Sequence, residues 1–120
     1  MAKTGNKGLS RIINATIYSY QGLKSAYLNE EAFRQEVVLL LISIPAAFYF
    51  STSYSQAIIL ICSVLFVLVV ELLNSAIEAV VDRISDDHHS LSGRAKDMGS
   101  AAVSLSLIIC LGIWVSILVF

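Results

Sequence analysis

The spacing of apolar residues divides the chain into four helical stretches. From Leu9 to Leu28 they fall at Leu9, Ile12, Ile13, Ile17, Tyr20, Leu23 and Tyr27, one stripe of a helix. Arg11, Asn14, Gln21 and Lys24 take the other face. This predicts an amphipathic helix over about residues 9–28, lying in a membrane interface. Tyr18, Tyr20 and Tyr27 suit that depth, where a ring is half buried and its hydroxyl stays wet. Gly22 is a candidate bend. Asn29 is a candidate N-cap, with Glu30 and Glu31 complementing the dipole of the next helix.

From Val37 to Val70 there is no charged residue, which is too long for one span of about 20 residues. The polar run Ser51-Thr52-Ser53-Tyr54-Ser55 breaks it into a helical hairpin, with spans of about 31–50 and 55–82. Pro45 predicts a kink in the first. Charged residues crowd positions 82–97, read as a loop, and the chain is again uncharged from Met98 to Phe120. This gives a third span of about 98–119, whose first turns hold Gly99, Ser100, Ala101, Ala102, Ser104 and Ser106. Small residues let helices approach closely. Trp114 fits an interfacial belt at the far end.

Composition agrees with a membrane. Of 120 residues, 57% are hydrophobic and 14% charged, against about 25% charged in soluble domains. The length allows one domain. Residues 1–36 are interrupted too often by polar groups to read as a signal peptide. A net charge of −1 without a basic run gives no reason to expect nucleic-acid binding. Cys62 and Cys110 lie in apolar runs and read as small buried hydrophobes. All eight Lys and Arg precede residue 36 or lie between 83 and 96. The positive-inside rule therefore puts the N-terminus and the 82–97 loop in the cytoplasm, and the hairpin turn and C-terminus outside.

One stripe does not suit a passive anchor. Helical steps put Glu71, Asn74, Glu78 and Asp82 on one face. An ionisable group in hydrocarbon costs about 2.5–3.5 kcal/mol on insertion scales. With the second span starting near Ala57, Glu71 lies within hydrocarbon about 8 Å from the inner boundary, and Glu78 and Asp82 lie at or beyond it. Glu30, Glu36, Lys96 and Asp97 fall at the same level on their own helices. That level suits chemistry between a soluble reactant and a lipid head group. Glu30 and Glu78 can hold a divalent cation through oxygens. Lys96 or Arg11 can neutralise phosphate. Glu71 is the candidate general base, and Asn74, one turn on, can orient it or the nucleophile. Phosphoryl transfer needs this set of metal, cation and positioned base. No P-loop and no GxGxxG sequence is present, so a nucleotide is held another way.

The run Glu71-Leu72-Leu73-Asn74-Ser75-Ala76-Ile77-Glu78-Ala79-Val80-Val81-Asp82-Arg83 resembles the signature of the small integral-membrane diacylglycerol kinases of bacteria. Leu91-Ser92-Gly93-Arg94-Ala95-Lys96-Asp97-Met98-Gly99-Ser100-Ala101-Ala102 and Asn29-Glu30-Glu31-Ala32-Phe33-Arg34-Gln35-Glu36 are similar to that family too. The resemblance implies an all-α membrane protein: a surface helix and three transmembrane helices, assembled as a homotrimeric bundle with active sites between protomers. It implies transfer of the ATP γ-phosphoryl to diacylglycerol at the cytoplasmic face of the inner membrane, giving phosphatidate. It makes Glu71 the catalytic base, with Glu30 and Glu78 binding the Mg²⁺ that accompanies ATP. Arg11, Tyr18, Lys96, Asp97 and the loop Asp87-His88-His89 would contact ATP. Lipid would lie near Arg11, Ser25, Ala26, Phe33, Arg34, Gln35, Glu36, Ser100 and Trp114. Members of the family can carry lysine where Asn14 stands, so one basic contact is absent here.

Three other readings compete. A kinase for undecaprenol belongs to a related branch, and Phe33-Arg34-Gln35-Glu36 favours the diacylglycerol branch. A proton-coupled exporter should carry its carboxylate near the bilayer midplane and needs no ladder of charges at one surface. A structural subunit leaves Glu71 unexplained.

Overall fold

The computed structural model describes residues 7–84 and 89–120. It is all-helical there, with α1 (Gly8–Asn29), α2 (Glu31–Phe50), α3 (Tyr54–Ile84) and α4 (Ser90–Val119). Three of them, α2, α3 and α4, are long and apolar enough to cross a membrane. Gly22 does not break α1, which runs unbroken through it. The charged stretch read as a loop is largely helical, because α4 begins at Ser90 rather than near residue 98. Its opening residues, with Gly93, Ala95 and Lys96, carry no helix breaker other than one glycine, so the helix propagates back from the apolar span.

The central helix is α3, packed between α2 and α4. Its buried residues are Ala57, Leu60, Ser63, Val64, Val67, Leu68, Glu71 and Asn74, a stripe at steps of three and four. The stripe begins small and apolar and ends polar. Close approach comes from Ala47 and Ala57, both fully buried where α2 meets α3. Buried hydroxyls are satisfied within their own helices: Ser43 donates to Leu40 O at 2.7 Å, Ser63 to Leu60 O at 2.6 Å and Ser106 to Val103 O at 2.7 Å. Many large apolar side chains, among them Leu41, Ile42, Leu105 and Leu111, face outward, as a bilayer solvent requires.

The turn between α2 and α3 is self-capped. Gln56 N donates to Ser53 Oγ at 3.2 Å, and Gln56 Oε1 reaches back to accept from Thr52 N and Thr52 Oγ1, each at 2.9 Å. This is a reciprocal cap of the Ser-x-x-Gln kind.

The joint between α1 and α2 is the single extended residue Glu30. Asn29, expected as an N-cap, closes α1 instead: its Nδ2 donates to Ser25 O at 2.8 Å. Arg34 fastens the joint, its Nη1 donating to Tyr27 O at 2.8 Å and Leu28 O at 3.2 Å. A guanidinium there satisfies carbonyls that the end of α1 leaves without helical partners. Apart from Ala26, the residues of α1 are not buried in the single chain, so its apolar stripe remains available to lipid.

Candidate functional site

Polar groups gather where α2, α3 and α4 meet at the Glu71 level. Glu71 is 6% exposed and Asn74 8%. One oxygen of Glu71 takes both nearby donors: Asn74 Nδ2 and Ser75 Oγ each approach Oε2 at 3.4 Å. These bonds are long, and they orient the carboxylate more than they hold it. Neither bond uses Oε1. Glu36, from α2, brings its carboxyl within hydrogen-bonding reach of Glu71, and its Oε1 is buried without a partner.

The rest of the stripe follows a gradient of exposure. Glu78 is half-buried and Asp82 exposed. Asp82 Oδ1 pairs with Lys96 Nζ at 2.8 Å, joining the end of α3 to the start of α4. Glu78 adds to the negative field around the same lysine. Asp97 and Ser100 are exposed on α4.

A cleft of about 720 Å³ opens between α1 and α3. Gly22, Ser25, Ala26 and Glu30 form one wall, and Leu72, Ser75, Ala76 and Ala79 the other. Small residues on both helices leave this space open. Ser75 belongs both to the cleft and to the Glu71 cluster, so the cleft reaches the candidate base. Gly22, read from sequence as a bend, instead keeps the wall low.

Several residues expected to touch lipid also make contacts within the chain. Phe33 is 3% exposed and packs with Ala26, Val64 and Val67, under the cleft and not at its surface. Arg34 clamps α1. Glu36 faces Glu71. The half-buried Trp114 is tied to α3, its Nε1 donating to Ser63 Oγ at 3.0 Å. Of the two cysteines, Cys110 is buried beside Ser63, but Cys62 is exposed on the outer face of α3. Gln35, Arg11 and Tyr18 are exposed. His89 caps α4, its Nδ1 accepting from Leu91 N at 3.0 Å. Asp87 and His88 lie outside the described residues. Sequence reading missed Ser75 as a partner of Glu71, although its place four residues on, one helical turn, was a signal.

Among the described residues, no three His, Cys, Asp or Glu side chains converge to hold a metal ion. Mg²⁺ commonly binds through one or two carboxylates together with substrate phosphates, a mode that needs no all-protein cage; Glu30 lines the cleft and Glu78 is half-buried on α3.

Comparison with known proteins bears on the same residues. The family model for prokaryotic diacylglycerol kinase matches residues 17–118. The chain is 53% identical to a diacylglycerol kinase of Haemophilus influenzae over 113 residues, covering 94% of this chain and 96% of that one. It is 51% identical to a diacylglycerol kinase of Escherichia coli K12, covering 89% and 88%. With one of Pseudomonas aeruginosa the identity is 49%, covering 95% and 93%.

Proposed function

This chain belongs to the prokaryotic diacylglycerol kinase family, and from that premise we propose how it makes phosphatidate in a bacterial membrane. The γ-phosphoryl of ATP passes to the free hydroxyl of diacylglycerol. Glu71 Oε1 takes the hydroxyl proton, the hydroxyl oxygen forms a bond to the γ-phosphorus, and the bond from that phosphorus to the β–γ bridging oxygen breaks, releasing ADP.

The observation that carries this assignment is the state of Glu71. It is a buried carboxylate whose amide and hydroxyl donors both lie on Oε2, next to a cleft open toward the surface helix. Asn74 and Ser75 hold the base. Diacylglycerol enters along α1 past Ser25 and Ala26. Lys96, with Arg11, Tyr18, Asp97 and His89, faces the nucleotide. Glu30 and Glu78 would hold Mg²⁺, which would supply charge neutralisation for the ATP phosphates. The N-terminus and the site are cytoplasmic at the inner membrane, the C-terminus is outside, and the working unit is a homotrimer in which a neighbouring protomer completes each site.

The test is purified protein in lipid with Mg²⁺, labelled ATP and either diacylglycerol or undecaprenol. Labelled phosphatidate is the expected product. Absence of label in either lipid would overturn the kinase mechanism, and label in undecaprenol alone would overturn the substrate.

A further inference from the structure

We propose that Gly99 is a positioning residue for the transfer, acting through Asn74; the inference rests on the reading of Glu71 as the base. Gly99 lies in the first third of α4 and is buried against α3. A Cβ built on it would run into Asn74 Oδ1 and would stand 3.2 Å from Asn74 Cγ. The other glycines described, Gly8, Gly22, Gly93 and Gly112, have nothing within 4 Å of such a Cβ. The backbone of Gly99 does not explain its identity, because the only positive φ among the described residues is at Gly8. What Gly99 supplies is room for one side chain.

That side chain has two unlike ends. Asn74 Nδ2 donates to Glu71 Oε2, while Asn74 Oδ1 is buried and has no hydrogen-bond donor. The Cα–H of Gly99 is the weak donor it faces. Turning the amide end for end would set Oδ1 against the carboxylate oxygen, acceptor against acceptor. The carboxylate therefore selects the orientation in which the amide donates to the base, and the space at Gly99 is what admits the oxygen end of that amide. A methyl group there displaces Oδ1 and takes Nδ2 with it. Glu71 Oε2 is then left with Ser75 alone, and Oε1 loses its fixed direction toward the nucleophile.

The experiment uses the full chain in lipid, in four forms: wild type, Gly99→Ala, Asn74→Ala and the double variant. Gly99→Ala should lower kcat about 10- to 100-fold and leave KM for MgATP within about twofold, as expected for a displaced base in an intact nucleotide site. In the Asn74→Ala background the atom in the way is gone, and the same methyl should change neither kcat nor the unfolding midpoint. Wild-type kcat in Gly99→Ala overturns the proposal. So does a methyl that lowers the midpoint equally in both backgrounds, which is decisive even where Asn74→Ala turns over too slowly to compare. Failure of the Glu71 reading looks different: Glu71→Gln would keep its turnover while the midpoint cycle between Gly99 and Asn74 persisted.

Discussion

Trp114 donates its indole hydrogen to Ser63 Oγ at 3.0 Å, and Ser63 passes its own hydrogen to Leu60 O at 2.6 Å. The relay pins the C-terminal half of α4 to α3 in the middle of apolar packing. Hydrogen bonds between membrane helices average about 0.6 kcal/mol and reach about 1.7. Ser63→Ala leaves the indole N–H without this acceptor and should destabilise the fold by about 1 kcal/mol, read from reversible unfolding in mixed micelles. Trp114 is the only tryptophan, so its emission should shift in the same variant. An unmoved spectrum would show that the indole never relied on Ser63.

Glu71→Gln removes the proton acceptor and keeps the shape. Turnover should fall by about 10²- to 10⁴-fold, the usual contribution of a general base. MgATP binding, measured by equilibrium titration, should persist. Retention of the wild-type rate would reduce Glu71 to a clasp between helices.

Asp82 and Lys96 are 64% and 43% exposed at their side chains. An exposed pair contributes little to stability, so Asp82→Asn should unfold at nearly the wild-type midpoint. Its effect should fall on the nucleotide. Lys96 without its internal counter-ion is free for phosphate, so KM for MgATP should fall, and the difference should shrink in high salt. A raised KM would mean that Asp82 aims Lys96 at the nucleotide and does not compete for it.

Arg34→Gln removes the clamp at the end of α1. Hydrogen exchange in the last turn of α1 should quicken, and activity should drop as the cleft wall loosens. Arg34→Lys should recover only part, because an ammonium lacks the planar fork. Unchanged protection in Arg34→Gln would assign the joint to Glu30 alone.

The four helices were legible because their signals are long. Stripes of apolar residues and charge-free runs average over many positions, and local errors cancel. Single-residue assignments at the joints fared worse. Asn29 has a capping side chain, yet the same chemistry satisfies a carbonyl one turn back, and only the path of the chain decides. The bond from Trp114 to Ser63 was not legible, because sequence gives the depth of the ring but not its direction, and its acceptor lies 51 residues away. The carboxylate stripe was plain from periodicity. The approach of Glu36 was not, because it depends on how α2 crosses α3. Gly99 stood among six small residues of α4, and which of them meets another side chain is a matter of helix rotation.

The self-capped turn between α2 and α3 also bears on how the protein is made. The hairpin has no charge from Val37 to Val70, and Gln56 already occupies the Thr52 amide and hydroxyl at its turn. Moving an unpartnered amide through hydrocarbon costs several kcal/mol, and this turn avoids part of that cost. The two helices can pair and cross the bilayer as one piece, with the charged ends of both left on one and the same side. Assembly can then begin from a hairpin already in place, to which α4 is added last.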